Sequence, residues 1–144
     1  MKVSVILANK PSQEVATIKP DSSISDAVSL LSNKGIGALV VSADGSQIAG
    51  ILSERDVVRR LGQEGSGILA EPASALMTPD VTTCTDDDTA IGVLARMTRG
   101  RFRHMPVVNG GGSMIGILSI GDVVKARLEE IEAENKAMAE MLSG

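Results

Sequence analysis

Apolar residues fall along the chain in a fixed order, and that order occurs twice. VATI (15–18) and VTTC (81–84) are short, β-branched runs of the kind that form strands. In SSISDAVSLLSNKG, Ile24, Ala27, Val28 and Leu31 recur at helical spacing and predict a helix. Ser23 suits its N-cap, with Asp26 at the third position as in a capping box, and Gly35 is a stop signal. The matching helix of the second half runs from about Thr89 to Gly100, with Asp86, Asp87 and Asp88 at its positive end. ALVVS and HMPVVN predict second strands, and QIAGILS and SMIGILS third strands. ADGS and NGGGS lie between them as hairpin turns, because Asp-Gly and Asn-Gly accept positive φ. A helix opens near Asp56 and another near Asp122. The pattern therefore predicts an α+β chain, strand–helix–strand–strand–helix, made twice.

The two halves match without gaps at an offset of 66 residues: Thr17 falls on Thr83, Val41 on Val107 and Gly50 on Gly116. GILSERDVV (50–58) and GILSIGDVV (116–124) agree at seven of nine positions. The polar, Gly- and Pro-bearing stretch QEGSGILAEPAS (63–74) lies between the copies, which divide the chain into 1–66 and 67–144. Upstream, VSVIL (3–7) is similar to ASALM (73–77) at an offset of 70, so the first connector is four residues longer than the second.

Composition narrows the classes of function. The 144 residues are 43% hydrophobic and 22% charged, enough for one compact domain or two small fused units. One Phe and no Tyr or Trp leave nothing to stack bases of single-stranded nucleic acid, and a net charge of -4 gives no general pull toward DNA, RNA or anionic membrane. Cys84 is the sole cysteine, which excludes an internal disulfide and a cysteine metal framework. MKVSVILANK is too short and too quickly polar for a signal peptide, and no apolar run approaches the roughly 20 residues that span a bilayer. These features predict a soluble cytoplasmic protein. GILSIG lacks the G-x-S-x-G spacing of a nucleophile elbow, and His104, the only His, leaves triads and zinc sites short of parts. NGGGS precedes a strand and is a turn, not a phosphate loop.

The order of elements, with G-I-L-S-x-x-D-V-V closing each copy and RHMPVV in the second, resembles a tandem pair of CBS domains over about residues 3–130. With nothing else attached, the chain is similar to the stand-alone bacterial kind. The resemblance implies two repeats packed about a pseudo-twofold axis, with an extended C-terminal helix following here. It implies clefts that bind an adenosine-containing ligand such as AMP, ADP, ATP, NAD, NADH or S-adenosylmethionine, a regulatory rather than an enzymatic role, a homodimer and an unidentified regulated protein.

The same resemblance sorts the candidate residues. On spacing alone, Ser53 with Asp56 and Ser119 with Asp122 are helix starts, worth about 1 kcal/mol each. With the duplication and the resemblance they become ribose sites, since a carboxylate accepts charge-assisted bonds from both ribose hydroxyls. The roles coexist if Ser caps while Asp binds. Thr17 and Thr83 lie where the family's first strand follows the nucleotide, but Thr is also simply a good strand residue. Arg99, Arg101, Arg103 and His104 crowd one strand entrance of the second copy, where the first has the nearly uncharged NKGIGALV. Guanidinium groups match phosphate oxygens, and the resemblance couples Arg103 and His104 to a phosphate whose ribose is held by Asp56. The alternative is a solvated cationic strip offsetting Asp86–Asp88. Arg55 adds a cation present only in the first phrase, Gly121 standing in its place in the second.

The tail carries Val124, Leu128, Ile131, Asn135, Met138 and Leu142 at 4-3-4-3-4 spacing, a short heptad seam with Asn at an a position and Arg127 and Glu132 at g and e. It either packs on its own module or assists dimerisation. The function expected is an adenosine-ligand sensor, the alternative a dimeric scaffold or adaptor with vestigial clefts.

Overall fold

A computed structural model describes residues 1–143 of the chain. The architecture is α+β: α1 (Val3–Ala8), β1 (Thr17–Ile18), α2 (Ile24–Lys34), β2 (Ala38–Val41), β3 (Gly50–Ser53) and α3 (Glu54–Glu64), then a 3-10 turn (Ser66–Ala70) and α4 (Ala73–Leu76). The second copy supplies α5 (Ala90–Gly100), β4 (His104–Val108), β5 (Met114–Ser119) and α6 (Ile120–Ser143).

The helices form where apolar periodicity and caps place them. Ser23 Oγ accepts the Asp26 N–H at 3.1 Å at the head of α2, and Gly35 closes it at φ 61°. Thr89 Oγ1 accepts the Gly92 N–H at 3.2 Å at the head of α5. There the C-cap falls on Arg101, at φ 57°, where the first copy has glycine. That conformation costs an L-residue about 1–2 kcal/mol. The hairpin turns hold by Asx-type bonds: Asp44 Oδ1 accepts from Ser46 and Gln47, and Asn109 Oδ1 from Gly111 and Ser113. Positive φ falls on Gly45 as the Asp-Gly pair predicts, but on Gly112 rather than on Gly110 of the Asn-Gly pair.

The first strands are shorter than their β-branched sequences predict. VATI contributes only Thr17–Ile18, paired parallel to β2, in a sheet of order β1-β2-β3. VTTC makes a single bridge, Cys84 to Val107, beside the two-stranded β4-β5 sheet. Pro106 explains the difference. In the first copy the Val40 N–H donates to Ala16 O at 3.1 Å. Pro106 holds the place of Val40 and has no N–H to give, so the ladder loses that rung. The Cys84 N–H still donates to Pro106 O at 3.0 Å on that edge.

VSVIL and ASALM, to which the alternation pattern assigns no element, fold as α1 and α4 and exchange places. One compact unit consists of Met1–Gln13, Thr83–Val107 and the residues from Gly116 on; the other of Glu14–Thr82 with Val108–Ile115. In the first, Val3 and Ile6 of α1 join a core of Val93, Met97, Met105, Val107, Leu118 and Val123. In the second, Ala73 and Leu76 of α4 join Ile24, Leu31, Leu39, Val41 and Leu52. Each connector helix thus completes the core built by the other copy.

The glycine that opens each repeated phrase makes room for this exchange. A Cβ at Gly50 would lie 2.6 Å from Met77 Sδ and 2.8 Å from Thr78 O; one at Gly116 would lie 2.8 Å from Leu7 Cδ2. At Gly50 the obstacle includes backbone, at Gly116 only the end of a flexible side chain. Gly50→Ala is therefore expected to destabilise by about 1–3 kcal/mol and Gly116→Ala by less, as overpacking against fixed and yielding neighbours differ. Urea unfolding of both variants checks the order; equal losses would show that the Thr78 backbone moves aside freely.

Candidate functional site

The two repeated phrases adopt the same local geometry. Each runs out of a third strand, turns at Ser and enters a helix whose third residue is Asp. In the first copy the Ser53 N–H and Ser53 Oγ both donate to Asp56 Oδ2, at 3.0 and 2.9 Å, and the Asp56 N–H bonds Ser53 Oγ at 3.2 Å. In the second the Ser119 N–H donates to Asp122 Oδ2 at 2.8 Å, and the Asp122 N–H bonds Ser119 Oγ at 3.1 Å. The capping reading is thus realised in both copies. It does not exhaust the carboxylates, because these bonds fall on Oδ2 and each aspartate stays only half-buried.

A second feature is shared. The first helical N–H after each Ser reaches back to the residue entering the second strand: Glu54 to Gly37 O at 2.9 Å, and Ile120 to Arg103 O at 2.8 Å. The helix start is thereby fastened to the strand entrance. In the second copy that entrance is cationic: Arg103 is exposed and His104 half-buried, in the same unit as Ser119 and Asp122. Thr83 is in that unit too, its carbonyl accepting from Arg96 Nη1 at 3.0 Å. Thr17, Ser53, Arg55 and Asp56 lie in the other unit, with Thr17 on β1 and Arg55 exposed on the first turn of α3. The acidic run has nearer partners than the strand-entrance arginines: Asp87 pairs with Lys2 at 3.6 Å and Asp88 with Arg96 at 3.2 Å. The Thr85 N–H and Arg96 hold the Asp88 carboxyl below its usual range against its burial.

Lys10 is the residue that spacing and repeats do not single out. Its Nζ lies 3.1 Å from Asp122 Oδ2 and donates to Ile117 O at 2.7 Å. A cavity of about 330 Å³, at the small end of ligand-site volumes, lies beside it, lined by Asn9, Lys10, Pro11, Asp122, Lys125 and Glu129 among others. Burial pushes the Asp122 carboxyl up, but the Ser119 N–H and the Lys10 ammonium outweigh it, and the group is held below the usual carboxylate range. The thiol of buried Cys84 is pushed up to about 11 by desolvation, with the nearby Asp88 adding to the effect, so it stays protonated at neutral pH and is a poor nucleophile. Among the described residues no cluster of His, Cys, Asp and Glu could hold a metal ion, and no helix is long and apolar enough to cross a membrane.

The family model for the CBS domain matches residues 6–63 and again 73–129. The chain belongs to the CBS domain family. Its two copies are CBS repeats, and α6, which closes the second, runs on beyond it. A CBS-domain containing protein of Agrobacterium tumefaciens is 40% identical, with a TM-score of 0.82 over 88% of this chain and 92% of that one. The mitochondrial CBSX3 of Arabidopsis thaliana is 34% identical over 86% of this chain; the chain spans 62% of that protein's length. The crystal structure of CBSX2 in complex with AMP is 30% identical, with a TM-score of 0.73 over 89% of this chain and 96% of that one.

The Asp122 charge has a consequence for stability. Its folded-state pKa is depressed, so the stability it contributes is full above the unfolded value of about 3.9. It is lost as pH falls through the folded value. Asp122→Asn is expected to cost about 1 kcal/mol at pH 7, a half-buried pair being worth little more than an exposed one. The deficit should shrink as the native protein is taken into acid. Urea titrations at pH 7 and at successively lower pH check this; a deficit independent of pH would place the loss in packing rather than in charge.

Proposed function

We propose that this CBS pair is a non-enzymatic cytoplasmic sensor of adenosine-containing ligands, with Asp56 and Asp122 receiving ribose hydroxyls. The observation that carries it is the duplicated strand–Ser–x–x–Asp–helix junction, which fixes one carboxylate oxygen through Ser and keeps the group at a half-exposed helix start. A helix N-terminus also favours phosphate. CBSX2 was crystallised in complex with AMP, which supports a ligand of this class. Thr17 on β1 and Thr83 beside the Cys84 bridge line the nucleotide, and Ser53 and Ser119 orient the carboxylates. Arg55, Arg103 and His104 take the phosphate of the ligand whose ribose is on Asp56. AMP, ADP, ATP and NAD or NADH share the adenosine that this arrangement recognises. Signalling requires that the ligand bind one arrangement of the protein, or of its dimer, better than another.

The sensor works as a homodimer that reports to a regulated protein. On α6, Val124 and Ile131 are 39% exposed, Leu128 56% and Met138 61%, so this seam is not covered by its own module. Val123 and Ala126 are the residues that pack inward. A two-fold partner is the common way to cover such a face.

Three variants test these assignments. Asp56→Ala should weaken AMP by roughly 1.5–3 kcal/mol, the value of bonds to a charged acceptor. Arg103→Ala with His104→Ala should weaken AMP strongly and adenosine little, because adenosine has no phosphate; calorimetry with both ligands reads the difference. Equal loss of both would remove the phosphate assignment. For the dimer, Leu128→Glu with Ile131→Glu should shift sedimentation toward the monomer; an unaltered dimer would exclude α6 from the interface.

A further inference from the structure

The connectors exchange places, yet they treat the two third strands differently. Ile51 and Ile117 are equivalent under the repeat. The Ile51 carbonyl is satisfied by the backbone of the connector that packs on it: the Thr78 N–H donates at 2.8 Å, and the Ile51 N–H returns a bond to Thr78 O at 3.0 Å. The Ile117 carbonyl is instead satisfied by a side chain, Lys10 Nζ at 2.7 Å. The first connector is four residues longer. It carries its only cation to the strand edge rather than pairing its backbone there.

That cation falls on the carboxylate of the repeated phrase. Lys10 lies 3.1 Å from Asp122 Oδ2, with the two side chains 21% and 25% exposed. Within its own unit Asp56 has no such neighbour: its bonds come from Ser53, and no lysine or arginine of that unit pairs with it. At the connector offset of 70, the counterpart of Lys10 is Asp80, an exposed acid that could not take its place. One carboxylate is therefore presented as a charged acceptor, while its duplicate is already neutralised.

We propose that Lys10 is a tethered competitor for ligand at Asp122: its ammonium holds the carboxylate that a ribose needs, so filling this site requires the connector after α1 to let go. This rests on the reading of Asp56 and Asp122 as ribose sites. The ligand loses affinity at Asp122 in proportion to the time the carboxylate spends paired. Asp56 fills first. Occupation of Asp122 frees Lys10, which follows α1 by two residues, and so couples the ligand to the segment whose Leu7 covers Gly116.

The test uses the full chain carrying Asp56→Ala, so that Asp122 alone reports. Adenosine is the ligand, because without a phosphate it has nothing for a lysine to attract. Lys10→Met removes the charge. Lys10→Gln removes it while keeping a donor for the Ile117 carbonyl, and thermal melts confirm that both variants fold. Calorimetry should show adenosine binding tightened about fivefold or more in both, the release expected from a pair of modest strength. Unchanged or weaker binding would overturn the competitor and make Lys10 a structural prop or a ligand contact. If the native protein binds adenosine while Asp56→Ala and its Lys10 variants do not, Asp122 is no site and the competitor is likewise overturned. If the native protein binds neither adenosine nor AMP, the ribose reading itself falls, a failure distinct from the other two.

Discussion

The contact on which the structure depends is the close approach of each connector to the glycine-bearing third strand of the opposite copy. At Gly50 this approach is backbone against backbone, with Thr78 and Ile51 exchanging two hydrogen bonds. At Gly116 it is a leucine lying on bare backbone. No side chain fits at either glycine without displacing the neighbour, which is why both phrases open with the same residue. The exchange supplies core as well: without Val3 and Ile6 one cluster would lack part of its wall, and without Ala73 and Leu76 the other would. Cavities of that kind cost several kcal/mol when created by mutation. A single copy cut from the chain at the repeat boundary would thus lose a piece of its own core and carry a piece of its neighbour's.

Duplication gives two equal junctions, and the connectors make them unequal. The Ser–Asp pairs are nearly superimposable in their bonds: Ser N–H to Asp Oδ2, Asp N–H to Ser Oγ, and the first helical N–H to the strand-entrance carbonyl. What differs is what surrounds them. A proline in β4 thins the first strand of the second copy to one bridge, arginines replace an asparagine and two glycines at its entrance, and a lysine from the long connector sits on its aspartate. At the Ser–Asp junctions themselves, side-chain electrostatics distinguishes the two.

What the sequence makes legible is what short-range physics decides. The helices α2, α3 and α5 follow from apolar spacing and from Ser23, Ser53 and Thr89 at their heads, all interactions within four residues. The Ser-x-x-Asp junctions are legible for the same reason. The shortened first strand of the second copy was written in HMPVV, since a proline inside a paired strand removes a donor, though β-branched VTTC pointed the other way. The exchange of α1 and α4 was not legible, because VSVIL and ASALM are similar segments with no local sign of which core they enter. Lys10 was still further out of reach: its bond to Ile117 spans 107 positions, and in NKPSQE it looks like any solvated lysine. Only the extra length of that connector marked it as different.

The double use of each aspartate limits what a ligand can do there. Oδ2 is committed to the helix start, so a ribose that pulled the carboxylate away from Ser would forfeit a capping interaction of about 1 kcal/mol. At Asp56 a ribose that approached the other oxygen would leave the cap intact and gain a carboxylate already aimed by two bonds to Ser53. Pre-organisation of this kind lowers the ordering cost of binding. It also keeps ligand energy from being spent on melting the helix start. What remains available to drive a change in the protein is whatever the ligand must displace. At Asp56 the bonds to be preserved are intra-junction ones, and little need move. At Asp122 the displaced group is a lysine on a connector that also carries part of a core. The site that binds less readily is therefore the one with the mechanical connection through which binding can be felt elsewhere.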